Sequence, residues 1–161
     1  MGRISIYSSD GQGKAPAALG RAVWLACSGK NVVVIQFLKG KAMDGSGFFR
    51  RLEPEIKVFC FEKTDEDFTK LSQERREEEV CNIKNGLAFA KKVLTTGECD
   101  LLILDEVLRL VNNHIIMAED LKNLLGIGRE TETDIIMTGT VLDDGIRALA
   151  DEVVTVQVTS P

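Results

Sequence analysis

The chain has 161 residues, 44% of them hydrophobic, and its formal net charge is −5. This length and composition suit one ordinary core, so we expect a single domain over residues 1–161. Nucleic-acid phosphates repel an acidic chain, and Lys39 and Lys41 are too few to make a basic patch. The sequence contains no apolar run of membrane-spanning length. We therefore expect neither a nucleic-acid partner nor a membrane partner.

The elements predicted for the first half of the chain alternate between apolar runs and helical patterns. They are a strand at residues 3–7, a helix at 15–28, a strand at 31–37 and a strand at 56–61. Val32 to Ile35 form a continuous apolar run, typical of a strand buried on both faces. Three glycines within residues 40–47 indicate a loop. Trp24 falls on the first helix, where we expect it to belong to the core.

A long polar helix is predicted over residues 65–94. Val80, Ile83, Leu87, Ala90 and Leu94 share one of its faces, which either covers the sheet or meets a partner. The charged run at 70–79 indicates a solvated face.

The second half continues the alternation. Its predicted elements are a strand at residues 100–105, a helix at 118–125, a strand at 134–137, a helix at 143–150 and a strand at 153–158. Strands that alternate with helices require right-handed crossovers. The fold class predicted is therefore α/β, a doubly wound domain with a mainly parallel sheet.

The cysteines do not form a metal-binding pattern. None of the four lies in a C-x-x-C pair, and His114 is the one histidine, so no dedicated metal site is predicted. Cys27 and Cys60 have apolar neighbours, which predicts small buried side chains. Reduced thiols and the lack of a signal-peptide pattern predict a cytoplasmic location.

A candidate phosphate loop joins the first strand to the first helix. Glycines let backbone N–H groups face an anion, and a helix N-terminus adds positive potential. The candidate nucleotide-binding residues are Gly11, Gln12, Gly13, Lys14, Ala15 and Pro16. The pattern G-x-x-x-x-G-K-S/T is incomplete, because Ser8 replaces its first glycine and Ala15 its hydroxyl residue. A plain glycine turn that caps a helix remains the alternative.

Two further segments follow strands whose carboxyl ends should meet the loop at one edge of the sheet. Asp105 and Glu106 are candidates for holding a metal ion or its water, or else form a helix N-cap with a first-turn acid. The remaining pocket candidates are Gln36, Lys39, Thr138, Gly139 and Thr140. By themselves Thr138, Gly139 and Thr140 indicate only a turn.

Together these segments resemble the P-loop ATP:corrinoid adenosyltransferases. That family has a G-x-G-x-G-K-T-T loop followed by A-A-L-G, and this chain has Ala17 to Gly20 after its loop. The family's Q-F-x-K-G matches residues 36–40, its L-D-E matches residues 104–106, its T-G-R matches Thr138 and Gly139, and its L-A-D matches residues 149–151. The resemblance implies a P-loop NTPase-like, RecA-like domain and a homodimer.

The resemblance also implies a reaction. Reduced corrinoid cobalt, in cob(I)alamin or cob(I)yrinic acid a,c-diamide, attacks the 5′ carbon of ATP, and triphosphate leaves. It implies ATP and Mg²⁺ as the nucleotide and its metal, with a corrinoid as second substrate. An apolar F-x-W wedge displaces the lower cobalt ligand.

The chain departs from this pattern where the chemistry is done. Ala15 and Pro16 replace the loop threonines, and Thr140 replaces the arginine of T-G-R. Phe61 and Phe68 are the substitutes available for the wedge, and the family's K-H tail would follow residue 161. These departures predict a divergent member with a degenerate nucleotide site and weak or no transfer. The alternative is a non-catalytic nucleotide- or corrinoid-binding regulatory paralogue.

Overall fold

A computed structural model describes residues 1–9, 14–38 and 47–161, with the backbone alone at positions 14 and 15. The strands are β1 (Ile4–Ser8), β2 (Val32–Gln36), β3 (Ile56–Cys60), β4 (Leu101–Asp105), β5 (Asp134–Thr138) and β6 (Glu152–Thr155). The α-helices are α1 (Lys14–Cys27), α2 (Gln73–Thr96), α3 (Val107–Asn112), α4 (Ala118–Glu130) and α5 (Asp144–Leu149). Phe48–Leu52 and Phe68–Lys70 form 3₁₀ helices.

The six strands form one parallel sheet in the order β3-β2-β4-β5-β1-β6. On one face, α1 packs over Val32, Val34, Leu101 and Ile103. The other helices cover the opposite face, where the core includes side chains from α2, α3, α4 and α5. Every residue of β2 and β4 is buried, because both strands have helices on both sides. The predicted α/β fold with a mainly parallel sheet is thus confirmed.

The long helix begins later than its composition predicts. It runs from Gln73 to Thr96, and Ser72 caps it by accepting a hydrogen bond from Arg75 N–H at 3.4 Å. Upstream, the Asp67 side chain accepts from Thr69 N–H and stabilises a short 3₁₀ turn instead of a helix. Aspartate competes with helix formation in this way through its side chain. The predicted start at residue 65 is therefore wrong.

The apolar face of α2 covers the sheet. Ile83, Ala90 and Leu94 are buried in the core beneath it, which decides between the two roles left open for this face. Positions 72–78 are exposed as predicted, but Glu79 is only 5% exposed. Leu71 is also buried, so within the charged run the continuous exposed stretch covers positions 72–78.

Three expectations about burial are wrong. Trp24 is 71% exposed, because Ala18 and Ala22 are the α1 residues that meet the sheet and Trp24 points away from them. Cys27 and Cys60 are also exposed, since they end α1 and β3 where the packed layers finish. Cys99 is the buried thiol, and burial raises its pKa to about 12.

The remaining differences concern shorter elements. The helix α4 continues to Glu130, five residues beyond its predicted end, while β6 stops at Thr155. The helix α3 was not predicted, because it begins directly after β4 with no loop to announce it. Among the described residues, no helix has the length and apolar character needed to cross a bilayer.

Candidate functional site

The carboxyl edge of the sheet brings the predicted site segments together. Tyr7 of β1 is in register with Thr138 of β5, and Gln36 of β2 is in register with Asp105 of β4. The helix α1 begins at Lys14, shortly after β1 ends. Because β5 alone separates β4 from β1, the end of β1 lies two strand spacings, about 10 Å, from the end of β4.

Asp105, Glu106 and Thr138 form a hydrogen-bonded group at this edge. The Thr138 hydroxyl donates to Asp105 Oδ1 at 2.6 Å and accepts from Glu106 N–H at 2.8 Å. Asp105 is 3% exposed and Thr138 is fully buried. Glu106 has a left-handed backbone, with φ 64°, and stands at the N-cap position of α3 without a side-chain capping bond. Glu106 therefore occupies the N-cap position that the alternative interpretation predicts, but its side chain does not cap the helix.

The nucleotide-loop candidates are only partly described. Gly11, Gln12, Gly13 and Lys39 lie outside the described residues. Pro16 is exposed and is the third residue of α1, where a helix has no internal partner for backbone N–H groups. Its missing N–H therefore costs the helix nothing, although that N–H is also lost to any anion. Gln36 is 8% exposed and lies between Asp105 and Cys60 in the register.

Gly139 and Thr140 have different surroundings. Gly139 has φ 131°, and a Cβ atom there would lie 2.9 Å from Leu108 Cβ, so glycine is required where β5 passes α3. Its N–H donates to Tyr7 O at 3.3 Å, which ties the exit of β5 to β1. Thr140 is exposed, and its carbonyl accepts from Asn112 Nδ2 at 2.7 Å.

The two candidate wedge phenylalanines are also in different places. Phe61 packs against Phe89, with ring centroids 5.4 Å apart, and a Cβ atom on Gly86 would lie 3.3 Å from its ring. Its ring is therefore held against α2. Phe68 is half-buried and lines an open cavity of about 240 Å³. Phe68 therefore lines a cavity, whereas Phe61 packs against a helix.

The cavity beside Phe68 is acidic. Its wall carries Glu62, Asp65, Glu66, Asp67 and Glu79, and Arg109 is the one cation among its described residues. Glu62 is 8% exposed, and both its oxygens accept from Leu38 N–H, at 2.8 and 2.9 Å. Burial raises the pKa of Glu62 from 4.5 to about 7; the Leu38 hydrogen bond opposes this shift, and the Glu79 charge adds to it.

Sequence reasoning missed Glu62 and Glu79. Glu79 accepts from Lys63 N–H at 3.1 Å and from Asn82 Nδ2 at 3.1 Å. A glutamate directly after a predicted strand is a weak signal of a role at the carboxyl edge. No signal marks Glu79, because it ends a run of acidic residues that are otherwise exposed.

The donor set of the Asp105 group suits magnesium only in part. Mg²⁺ is commonly held by one or two carboxylates together with substrate phosphates, and Asp105 with Glu106 supplies such carboxylates. Within residues 1–9, 14–38 and 47–161, no three metal-binding side chains cluster into a protein-only site. These residues therefore fit a metal that arrives with a nucleotide.

The fold and edge described above define an α/β domain of the P-loop NTPase-like class. A KaiC-like protein from Pyrococcus horikoshii has this fold, with a TM-score of 0.61 and 18% identity over 96% of this chain and 70% of that structure. The family model for the ATP:corrinoid adenosyltransferases BtuR/CobO/CobP matches residues 1–160, and the chain belongs to that family.

Its relatives are moderately distant. It is 31% identical to the corrinoid adenosyltransferase of Escherichia coli over 152 residues, covering 94% of this chain and 74% of the relative. It is 27% identical to the corrinoid adenosyltransferase of Pseudomonas aeruginosa over 154 residues, covering 94% and 73%. The family uses ATP and a corrinoid substrate, and the predicted resemblance to a divergent member is confirmed.

Proposed function

We propose that this chain is a corrinoid adenosyltransferase-like protein whose nucleotide site is degenerate and whose transfer activity is weak or absent. The observation that carries the proposal is the contrast at the carboxyl edge. Asp105, Glu106 and Thr138 form a hydrogen-bonded group, while Ala15, the second residue of α1, has no hydroxyl to offer.

The retained residues support nucleotide binding. Gly11, Gly13 and Lys14 precede or begin α1, so backbone N–H groups, the helix N-terminus and one ammonium group attract the triphosphate of ATP. Asp105 and Glu106 would hold Mg²⁺ or its water, and the metal would supply positive charge to the leaving triphosphate. A charged hydrogen bond is worth roughly 1.5–3 kcal/mol, so we expect weak ATP binding.

The lost residues support low turnover. Ala15 and Pro16 remove hydroxyls and one N–H beside the triphosphate, and Thr140 supplies no positive charge at the exposed exit of β5. Loss of one preorganised donor to a developing anion costs about 2.7–4 kcal/mol, or roughly 10²–10³ in rate. Such losses act as a unit and need not add.

A second candidate function is a non-catalytic paralogue that binds a nucleotide or corrinoid and regulates another process. The packing of Phe61 against α2 favours it, because Phe68 is then the sole replacement for a two-aromatic wedge. Without an effective wedge, the corrinoid keeps its lower ligand and cobalt is hard to reduce. This candidate predicts corrinoid or ATP binding without transfer.

The test is a cob(I)alamin assay with MgATP that follows loss of the reduced corrinoid spectrum. We expect wild-type turnover at least about 10²-fold below that of the Escherichia coli relative. The double change Ala15→Thr and Pro16→Thr should raise MgATP affinity in calorimetry. Ala88→Thr on the exposed side of α2 is the matched control and should change nothing. Robust wild-type turnover, or submicromolar ATP binding, would overturn the degenerate-site proposal.

We also propose a cytoplasmic homodimer of one domain per chain, on the strength of the family resemblance. The buried stripe of α2 is already used in the core and is not available to a partner. Light scattering at high protein concentration tests the dimer. A mass near the 17.7 kDa of one chain would contradict it.

A further inference from the structure

Thr138 cannot contact a ligand, because it is fully buried. Its hydroxyl instead bridges two acidic residues: Asp105, which ends β4, and Glu106, which follows it. A backbone N–H can only donate, so Thr138 Oγ1 accepts from Glu106 N–H, and its single proton goes to Asp105 Oδ1. The 2.6 Å separation between Thr138 Oγ1 and Asp105 Oδ1 is that of a short hydrogen bond from a hydroxyl to an oxygen acceptor.

The same hydroxyl stabilises an unusual backbone. Glu106 is not glycine, yet its φ of 64° lies in the left-handed region. This conformation turns the chain from β4 into α3 within a single residue and leaves Glu106 half-exposed beside the buried Asp105. A left-handed non-glycine residue is disfavoured and persists only where its surroundings hold it. The bond from Glu106 N–H to Thr138 is such a constraint.

Gly139, the residue after Thr138, also has a structural role. Its close approach to Leu108 and its bond to Tyr7 O fix the exit of β5 against α3 and β1. Of the three residues Thr138, Gly139 and Thr140, the first two are therefore buried and only Thr140 is exposed.

We infer that Thr138 is a positioning residue of the nucleotide site, which fixes Asp105 and Glu106 in the orientation that couples ATP binding to Mg²⁺. The inference rests on the proposed nucleotide site for its functional consequence, and on the Thr138 bonds for its structural part. Thr138 would thus act through Asp105 and Glu106, and not by contacting the ligand itself.

The test compares Thr138→Val, which keeps the shape and loses the hydroxyl, with Thr138→Ser, which keeps the hydroxyl. Thr133→Val is the matched control. Thr133 is also buried and precedes the opposite end of β5, where its hydroxyl donates to Cys99 O at 3.0 Å. Thr138→Val loses the bonds to Asp105 and Glu106, whereas Thr133→Val loses one buried hydroxyl bond at the other end of β5.

The first measurement is hydrogen exchange of the Glu106 amide without any ligand. We expect exchange about tenfold faster in Thr138→Val, the factor that corresponds to one lost hydrogen bond. Thr138→Ser and Thr133→Val should stay near the wild type. Unchanged protection in a folded Thr138→Val protein would overturn the inference.

The second measurement is calorimetry with ATP in the presence of Mg²⁺ and again with the metal chelated. Thr138→Val should leave metal-free ATP affinity within about twofold and reduce the gain from Mg²⁺ by about tenfold, and Thr138→Ser should restore that gain. Equal losses with and without metal would show a merely structural role and would refute the inference.

The two measurements separate failure of the inference from failure of the proposed function. Wild-type protein that binds no ATP would refute the nucleotide site, and exchange of the Glu106 amide would then alone decide whether Thr138 holds the acidic pair. If Thr138→Val does not fold, Thr138→Cys takes its place, because a thiol is a weak donor and acceptor.

Discussion

Two non-glycine residues with left-handed backbone, Leu38 and Glu106, follow strands at the carboxyl edge of the sheet. The backbone N–H of each donates to a different kind of side chain. Glu106 follows β4, and its N–H is bonded to the Thr138 hydroxyl. Leu38, with φ 59°, follows β2, and its N–H is bonded to the Glu62 carboxylate. In the first group a hydroxyl stands between the backbone and the acid. In the second the carboxylate meets the backbone directly.

The difference decides what each acid is suited to do. Asp105 Oδ1 accepts a hydrogen bond from the Thr138 hydroxyl at 2.6 Å, and this bond fixes the orientation of its carboxyl group. Glu62 is buried near a second carboxylate, Glu79, and its pKa is about 7. Similar backbone geometry is thus obtained once through a hydroxyl that is bonded to an acid and once through an acid whose pKa is raised to about 7.

The largest effect that would sharpen this comparison concerns Glu62 and pH. Its pKa is raised in the folded protein, from 4.5 to about 7, so its protonated form favours folding. This contribution is fully present below pH 4.5 and is lost as pH rises to about 7. The shift corresponds to up to about 3 kcal/mol. Glu62→Gln should remove this pH dependence from the free energy of unfolding.

The measurement is urea unfolding at several pH values between 4.5 and 8, for the wild type and Glu62→Gln. Glu53→Gln is the matched control, because Glu53 is an exposed glutamate before β3. The quantity compared is the free energy of unfolding of the wild type minus that of Glu62→Gln. If this difference does not change between pH 4.5 and 8, the pKa of Glu62 is not raised and the comparison fails.

A smaller effect is expected at Asp105. Asp105→Asn keeps an oxygen that can accept the Thr138 proton, whereas Asp105→Ala leaves a buried hydroxyl without that acceptor. An unsatisfied buried group costs about 1–3 kcal/mol, so the alanine variant should be less stable than the asparagine variant by that amount. Thermal or urea unfolding of the two variants measures it. Equal stabilities would mean that the Thr138 bond contributes little.

The smallest effect should come from Glu79. Glu79→Gln removes the neighbouring charge, which is a lesser cause of the Glu62 shift than burial. The pKa of Glu62 should fall but stay above 4.5. Carboxyl-carbon NMR of Glu62 as pH is varied measures the change. A Glu62 pKa that returned fully to its ordinary value would show that charge repulsion, and not burial, sets this second group apart.

The sequence predicted the sheet well, because strands buried on both faces have unmistakable apolar runs such as Val32 to Ile35. It also placed Gln36, Asp105 and Thr138 at one edge, since parallel strands share their carboxyl ends. It did not predict the Asp105–Thr138 bond, because these residues are 33 positions apart and their contact depends on strand order. Nor did it predict α3, which begins after Glu106, a residue with left-handed backbone and no side-chain capping bond.

Other errors have a common physical origin. Trp24 was expected in the core because it is apolar, but the helix face that meets the sheet is decided by Ala18 and Ala22, whose small side chains allow close packing. Glu79 was expected in solvent because its neighbours are charged, yet it satisfies the backbone of Lys63 from a buried position. In both cases the fold, and not the residue type, decides exposure.

The position of β1 has a consequence for biosynthesis. β1 pairs with β5 on one side and β6 on the other, so both its neighbours are translated after residue 133. At about 5–20 residues per second, β1 waits roughly 6–25 seconds on the ribosome for its first partner. During that interval Ile4 and Ile6 and both edges of the strand are open to other chains. The sheet therefore closes late, and newly made chains are most prone to aggregate before residue 134 is added.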